Sequence, residues 1–287
     1  MSCATIPGPR PAVHQANVTW IPGACDAHIH VFEGPSGPEY VQSPSYRSPE
    51  ASLETYKKLA SSLGLQRAVI VQPSVYGQDH SVLLRALAQD PVNLRGVAVI
   101  GLDTPTSDLE RMHRAGVRGV RVNLVSPNQV VGLDALARLE EKITPYGWHL
   151  QLFLDFMTLR GAARILEART VACVIDHFGH LQVDNPDHLP GLNELLAIAA
   201  LPNVWFKFSG SYRLTPAAFP FENIGSIARR IFAVAPSRCV WGSDWPHPLC
   251  AEIPDDGELL DSLGRWFPRP EDQVAVLSRN PANLYGF

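Results

Sequence analysis

The chain has 287 residues, of which 46% are hydrophobic and 18% charged, and its formal net charge is −4. These proportions are typical of a globular protein with a large apolar core and exclude a disordered chain. The sequence has no run of lysines or arginines, which argues against nucleic acid and anionic membranes as partners. Length alone permits one large domain or two average ones.

The N-terminus has prolines where a secretory signal would have its apolar stretch. No segment reaches the roughly 18 consecutive apolar residues of a membrane span. The five cysteines form no CxxC motif and lie mainly in apolar runs, as expected of reduced thiols. We therefore expect a cytoplasmic protein without membrane association.

Short apolar runs recur along the chain, each followed by a loop and then by an amphipathic stretch, which is the pattern of βα units. The predicted strands are 24–28, 67–72, 95–100, 116–122, 149–154, 171–176, 204–208 and 239–242. The predicted helices are 52–62, 81–88, 107–115, 133–146, 159–168, 189–200 and 223–235, with a last helix within 255–287.

Eight alternating units favour an α/β fold of the (β/α)8 TIM-barrel type, in a single domain. A doubly wound open sheet is the alternative, but no GxGxxG or P-loop motif follows the first strand. We assign residues 21–287 to the barrel and residues 1–20 to an N-terminal arm.

The end of the first predicted strand carries Asp26, His28 and His30. Since side chains alternate along a strand, all three are expected to face the barrel interior. A lone histidine there is usually a hydrogen-bonded core residue. Two histidines and an aspartate at alternate positions favour a functional cluster, because buried polar groups cost free energy unless they are paired.

Two other strand ends carry matching groups, His177 after the sixth strand and Asp244 after the eighth. The C-terminal strand ends of a barrel meet at one face, so these side chains are expected to converge with His28 and His30. Such a set suits either a divalent metal ion or metal-free proton transfer.

These motifs resemble the amidohydrolase superfamily. The resemblance rests on DxHxH at 26–30, DHFG at 176–179, WFKFSGSYR at 205–213 and WGSDWPHP at 241–248, and it extends over about residues 22–285. Within the superfamily the chain is similar to the metal-independent lactonases typified by 2-pyrone-4,6-dicarboxylate lactonase.

The resemblance implies hydrolysis of a small anionic lactone without a cofactor. The fifth strand lacks the bridging ligand of binuclear relatives, so a two-metal centre is not expected. The alternative is one divalent ion such as zinc, held by His28, His30, His177 and Asp244. In the metal-free reading Asp244 is the general base, and the three histidines donate hydrogen bonds to the developing oxyanion.

Substrate contacts are expected from polar residues that follow the barrel strands. Arg121 and Arg213 form a candidate clamp, because guanidinium groups bind carboxylates bidentately. Ser74 matches a substrate-contacting serine of the lactonase group. The remaining candidates are Tyr76, Asn123 and Gln151.

Two departures from the lactonase pattern affect the expected substrate. A further arginine of that group has no counterpart at Ser126, Pro127 and Asn128, and a tyrosine is replaced by Phe153. We therefore expect a related lactone with a single anionic group. A metal-dependent decarboxylase of aromatic or unsaturated acids, a sugar-acid lactone isomerase and a non-catalytic binding module remain alternatives.

Three further expectations concern residues near this face. Lys207 is expected to point inward and to need a carboxylate such as Asp26. His247 is a secondary candidate for the site. The loop 32–47 suits either a lid or a simple connector.

Overall fold

The computed structural model describes residues 4–11, 13–34, 37–41, 44–125, 130–185, 188, 191–250 and 252–287, without the side chains of Ala4 and Thr5. In this described part, eight parallel strands form one sheet in sequence order. The strands are β1 (Cys25–Ile29), β2 (Arg67–Val71), β3 (Leu94–Ala98), β4 (Val117–Asn123), β5 (His149–Phe153), β6 (Cys173–Ile175), β7 (Val204–Phe208) and β8 (Cys239–Trp241).

The sheet closes between its first and last strands. A parallel bridge joins Ile29 to Trp245, and the His30 backbone N–H donates to the Trp245 carbonyl at 2.8 Å. The Asp244 N–H likewise donates to the His28 carbonyl at 2.9 Å. These bonds confirm the predicted (β/α)8 barrel and bring the ends of β1 and β8 together.

Helices alternate with the strands and cover the outside of the barrel. Those described are α1 (Leu53–Ser62), α2 (Ser81–Ala88), α3 (Thr106–Arg114), α4 (Leu136–Ile143), α5 (Phe156–Gly161), α6 (Ala163–Glu167), α7 (Leu192–Ala200), α8 (Glu222–Val234), α9 (Asp256–Trp266), α10 (Pro270–Val274) and α11 (Asn280–Tyr285). No helix in these ranges is long and apolar enough to cross a bilayer.

Two apolar clusters explain the near-continuous hydrophobicity of the strands. The larger one lies between the strands and the helices, and the smaller one fills the lower barrel interior with Cys25, Ala27, Val69, Val97 and Val240 among others. A parallel sheet buried on both faces requires apolar side chains in both directions. Buried polar and charged side chains inside this barrel, such as Asp176 and Lys207, are therefore candidates for a functional site.

The predicted strands and helices match the observed ones to within a few residues, with three differences of detail. In place of the one last helix predicted within 255–287, the structure has three, α9, α10 and α11. The helix predicted over 159–168 is two short helices, α5 and α6, and Asp155 caps the first by accepting from the Thr158 N–H at 2.9 Å. The predicted start of α7 at residue 189 lies outside the described residues.

The N-terminal residues lie against the barrel. Ala4–Thr5 pairs in parallel with Tyr46–Arg47, and the His14 N–H donates to the Asp255 carboxylate at 2.9 Å. Asp255 also caps α9. The division at residue 20 stays a prediction.

Candidate active site

Asp244 lies at the centre of the site, just after β8. Its Oδ2 atom accepts hydrogen bonds from the Tyr212 hydroxyl and from Arg213 Nε, both at 2.8 Å. Its Oδ1 atom faces the three site histidines and lies 3.7 Å from His28 Nε2, 3.8 Å from His30 Nε2 and 4.0 Å from His177 Nε2. The structure thus brings together all four residues that the sequence assigned to catalysis.

The far side of each imidazole has a different partner. His30 Nδ1 lies 2.7 Å from the Val71 carbonyl oxygen, and His177 Nδ1 lies 2.8 Å from Ser209 Oγ. His28 Nδ1 lies 3.3 Å from Lys207 Nζ. A carbonyl can only accept and an ammonium can only donate, so the partners of His30 and His28 favour one tautomer each, whereas the Ser209 hydroxyl accommodates either tautomer of His177.

Burial sets the protonation states of these groups. Burial lowers the pKa of His28, and it lowers the pKa values of His30 and His177 well below the ordinary value, so the imidazoles are neutral near pH 7. Burial alone would raise the pKa of Asp244, but the neighbouring Arg213 guanidinium is the largest of the influences that hold that pKa well below its usual range. The resting site therefore contains an ionised carboxylate facing neutral imidazoles.

A charged pair lies beneath His28. Lys207 Nζ lies 3.1 Å from Asp176 Oδ1, and neither side chain has exposed surface. Asp176 Oδ2 accepts from Gln151 Nε2 at 3.0 Å, and Arg121 Nε lies 3.8 Å from the same oxygen. The prediction that Lys207 faces inward beside a carboxylate is confirmed, but the partner is Asp176.

Asp26 does not join the cluster, contrary to the alternation argument. A register shift between Asp26 and Ile29 breaks the alternation of β1. The Asp26 carboxylate accepts from the Ser243 hydroxyl at 2.6 Å, from the Ser243 N–H at 2.9 Å and from the Tyr56 hydroxyl at 3.2 Å. It joins β1 to the β8 end and to α1, and it has no oxygen left for Lys207.

The backbone is strained at two of the three strand ends that contribute side chains to the cluster, those of β6 and β8. His177 and Asp244 have φ values of 50° and 69°, and His180 has 55°. Residues other than glycine seldom adopt this left-handed region, and such residues cluster at functional sites. This conformation turns the His177 and Asp244 side chains toward the same point.

A cavity of about 230 Å³ opens above the cluster. It is lined by His30, Ser45, Tyr46, Ser74, Arg121, Asn123, Val125, Phe153, His177, His180, Arg213, Asp244, Pro248 and Leu249. The Arg121 guanidinium lies over the Phe153 ring at 5.0 Å. Asn123 Nδ2 donates to Ser74 Oγ at 2.6 Å, which fixes both polar groups at the cavity wall.

Gln151 and Tyr76, which were predicted to contact substrate, do not line this cavity. Gln151 is fully buried one layer below, where it holds Asp176. Tyr76 is buried against Phe32 and Tyr40. The position of the missing arginine, 126–128, lies outside the described residues.

The sequence patterns did not single out four residues that the structure places at or next to the site. Asp176 precedes His177 in the motif, and Tyr46 and His180 line the cavity. Tyr212 donates to Asp244 and lies 3.0 Å from His247 Nδ1, so His247 contacts the carboxylate only through Tyr212. The quoted motifs contained Asp176 and Tyr212, and His180 directly follows DHFG, whereas only the fold places Tyr46.

The donor atoms are spaced as a divalent ion would require. His28 Nε2, His30 Nε2 and Asp244 Oδ1 are separated by 3.3, 3.7 and 3.8 Å. Ligands of a tetrahedral zinc ion at about 2.1 Å lie roughly 3.4 Å from one another. The positions of these residues therefore fit such an ion.

Comparison with known proteins shows which family the chain belongs to. The family model described as Amidohydrolase matches residues 25–287. The chain is 28% identical to a 4-sulfomuconolactone hydrolase of Hydrogenophaga intermedia, over 97% of this chain and 94% of that protein. It is 33% identical to a 2-pyrone-4,6-dicarboxylate hydrolase of Comamonas testosteroni, over 92% and 90%.

A solved structure agrees with the sequence matches. An Agrobacterium tumefaciens protein in its apo form superimposes with a TM-score of 0.81 at 27% identity, covering 95% of this chain and 98% of that one. The barrel, the converging strand ends and the family match agree with one another, and the chain belongs to the amidohydrolase family.

Proposed function

We propose that the protein is a lactonase that opens an anionic lactone ring by attack of water on the ester carbonyl. The observation that carries this proposal is the free Oδ1 of Asp244, which faces three imidazole Nε2 atoms within 4.0 Å at the floor of a cavity that Arg121 lines. Two of the relatives named above are lactone hydrolases, which supports the same reaction class.

Asp244 is the proton-transfer group of the proposed reaction. Its Oδ1 takes a proton from water as the water oxygen bonds to the lactone carbonyl carbon. The tetrahedral intermediate then breaks its ring C–O bond, and Asp244 returns the proton to the leaving oxygen. An anionic substrate group near Arg121 and Arg213 would offset the cations that keep the Asp244 pKa low, so bound substrate makes the carboxylate a better base.

The histidines have unequal roles in this scheme. Since the Val71 carbonyl can only accept, neutral His30 carries its proton on Nδ1 and offers a lone pair at Nε2. His28 and His177 are then the candidates for donating N–H bonds to the oxyanion. This narrows the sequence expectation that all three histidines donate.

We further propose that no metal is required. Arg213 already occupies one oxygen of Asp244, and Lys207 lies directly behind His28. These cations lie behind two of the side chains that would hold a metal, and they supply positive charge to the cluster from outside it. If one were bound, His28, His30, His177 and Asp244 would hold it, and it would lower the pKa of a bound water toward about 7.

The substrate is proposed to carry one main anionic group. Arg121 extends into the cavity beside Ser74 and Asn123, whereas Arg213 has Asp244 and the Pro248 carbonyl as partners. We place the anionic group against Arg121 and the outer edge of Arg213. The apolar wall formed by Phe153, Val125 and Leu249 suits the ring face.

The free thiols of Cys25, Cys173, Cys239 and Cys250 support a reducing compartment, and we propose a cytoplasmic location.

Product mass separates the candidate reactions. Purified protein would be incubated with a panel of carboxylated and sulfonated lactones, and products would be read by mass spectrometry. A gain of one water shows hydrolysis, an unchanged mass shows isomerisation, and loss of carbon dioxide from an aromatic or unsaturated acid shows decarboxylation. Hydrolysis of at least one anionic lactone is the expected result, and turnover by either of the other routes alone would refute the proposal.

A further inference from the structure

The two histidines of the DxHxH motif lie in opposite hydrogen-bonding environments. Behind His30, Nδ1 meets the Val71 carbonyl oxygen at 2.7 Å. A carbonyl accepts but never donates, so it requires the proton on Nδ1. Neutral His30 is therefore the tautomer whose Nε2 has a free lone pair.

Behind His28, the partner of Nδ1 is a donor. Lys207 Nζ lies 3.3 Å away, and an ammonium group donates but cannot accept. This contact leaves the lone pair on Nδ1 and the proton on Nε2. The Nε2 atoms of His28 and His30 lie 3.3 Å apart, a separation that an N–H···N bond from His28 to His30 accounts for.

Asp176 competes with Lys207 as a partner of His28 Nδ1. Its Oδ1 lies 3.5 Å from that nitrogen, farther than Lys207 Nζ, and the same oxygen lies 3.1 Å from the ammonium. Asp176 thus pairs with Lys207 and keeps the ammonium directed at His28. Each buried charge is thus compensated by the other, which allows both side chains to lie fully buried.

We propose that Lys207, held by Asp176, is a positioning residue that fixes His28 as the Nε2–H tautomer, opposite to His30, so that the motif donates a hydrogen bond and resists metal binding. This inference rests on the proposed lactonase function, for which it supplies the oxyanion donor. A divalent ion would need lone pairs on both Nε2 atoms, because metal ligands must be deprotonated at the bound atom. Binding would therefore force the His28 proton onto Nδ1, against the ammonium.

The first test identifies the protonated nitrogens directly. Chelator-treated protein labelled with 15N-histidine would be studied by long-range 1H–15N correlation, for the wild type, Lys207→Met and Lys58→Met. Lys58 is an exposed lysine of α1 and serves as the matched control. We expect the wild type and the control to carry the proton on Nε2 of His28 and on Nδ1 of His30. In Lys207→Met, His28 should move its proton to Nδ1 and donate it to Asp176.

The second test measures zinc affinity by calorimetry in the same three proteins. Outer-shell partners of metal-binding histidines change affinity by about tenfold to a hundredfold. We expect Lys207→Met to bind zinc tighter by that factor and Lys58→Met to match the wild type. Wild-type His28 protonated on Nδ1 would overturn the proposal. So would tighter zinc binding in Lys207→Met without a change of tautomer, because charge removal alone would then explain it.

Lys207→Met leaves the Asp176 carboxylate buried without its cation, and the single variant could fail to fold for that reason. In that case the double variant Lys207→Met/Asp176→Asn is used in its place. The amide oxygen introduced by Asp176→Asn can still accept from His28 Nδ1, and the same two changes are expected. Both readouts use protein without substrate, so they separate this inference from the lactonase proposal. Failure to hydrolyse any lactone would refute the proposed function but would not affect the tautomer result. Lactone hydrolysis by a protein whose His28 carries its proton on Nδ1 would refute only the role of Lys207.

Discussion

Asp26 and Asp244 are both buried carboxylates near the junction of β1 and β8, yet their surroundings differ. Both oxygens of Asp26 accept bonds from fixed donors, namely Ser243, Tyr56 and the His28 N–H. Asp244 has partners of this kind on Oδ2, while Oδ1 faces the histidines and the cavity. A carboxylate bonded on all sides joins structural elements, whereas one with an open oxygen is available for chemistry.

The two carboxylates also differ in their pKa. Burial raises the pKa of Asp26 to about 6, because the hydrogen bonds from Ser243 and the His28 N–H offset the burial only in part and the Asp256 carboxylate adds to the rise. The guanidinium of Arg213 has the opposite effect on Asp244. Substitution of Asp244 should therefore reduce activity, whereas substitution of Asp26 should reduce stability.

The largest expected effect follows from removing the proposed base. Asp244→Asn keeps the size of the side chain but cannot take a proton from water. We expect kcat for lactone hydrolysis to fall by about a hundredfold to ten-thousandfold. Steady-state kinetics would measure this, with circular dichroism to show that the fold is retained. Activity near that of the wild type would remove Asp244 from the mechanism.

Loss of Asp26 should instead reduce stability. Asp26→Ala leaves buried donors at Ser243 and Tyr56 without an acceptor, at a cost of about 3 kcal/mol in the free energy of unfolding. Urea denaturation would measure it, with the exposed Asp103→Ala as control, expected to stay within about 0.5 kcal/mol. The KM of folded Asp26→Ala should match the wild type. A large change in KM at unchanged stability would contradict the contrast between the two carboxylates.

The next prediction concerns Arg121, which lines the cavity and is proposed to bind the anionic group of the substrate. Arg121→Met removes a charge-assisted hydrogen bond of about 1.5–3 kcal/mol, so KM for an anionic lactone should rise roughly tenfold to a hundredfold. An uncharged lactone should show little change. Arg118→Met is the matched control, since Arg118 lies on the same strand but bonds to the His113 carbonyl away from the cavity. Equal losses for charged and uncharged lactones would argue against an anion-binding role.

The smallest effect concerns His149, a buried histidine at the start of β5 that does not line the cavity. Burial lowers the pKa of His149 from 6.5 to about 3. A depressed pKa contributes stability above pH 6.5 that is lost as the pH falls toward 3, about 2 kcal/mol between pH 7 and pH 5. His149→Leu should remove that part of the acid sensitivity. Urea unfolding at pH 7 and pH 5 would measure it, and an unchanged difference between the two pH values would contradict the assignment.

The sequence was sufficient for the architecture and for part of the site. Strands with apolar side chains on both faces produce clear runs, so the eight strands and the convergence of His28, His30, His177 and Asp244 could be predicted. The alternation of side chains gave the wrong direction for Asp26, because β1 contains a register shift that the sequence does not reveal. The burial of Gln151 below the cavity and of Tyr76 beside it depends on the packing of neighbouring strands and loops, which periodicity does not reveal.

Local backbone conformation limited the prediction in a second way. The left-handed conformations of His177 and Asp244 are imposed by the surrounding loops and not by the residue types. The sequence also could not identify the partner of Lys207, because it has a carboxylate near the end of the first strand, Asp26, and another near the end of the sixth, Asp176. In the structure, the Asp176 carboxylate follows β6, which pairs with β7, and Asp26 is already fully bonded.

The most direct test of the central claim is the rate of lactone hydrolysis by chelator-treated wild-type protein, with the metal content of the same sample measured by elemental analysis. We predict an undiminished rate at far less than one metal ion per chain and no increase when zinc is added. A protein that is inactive after chelation and regains activity with stoichiometric zinc would contradict the account.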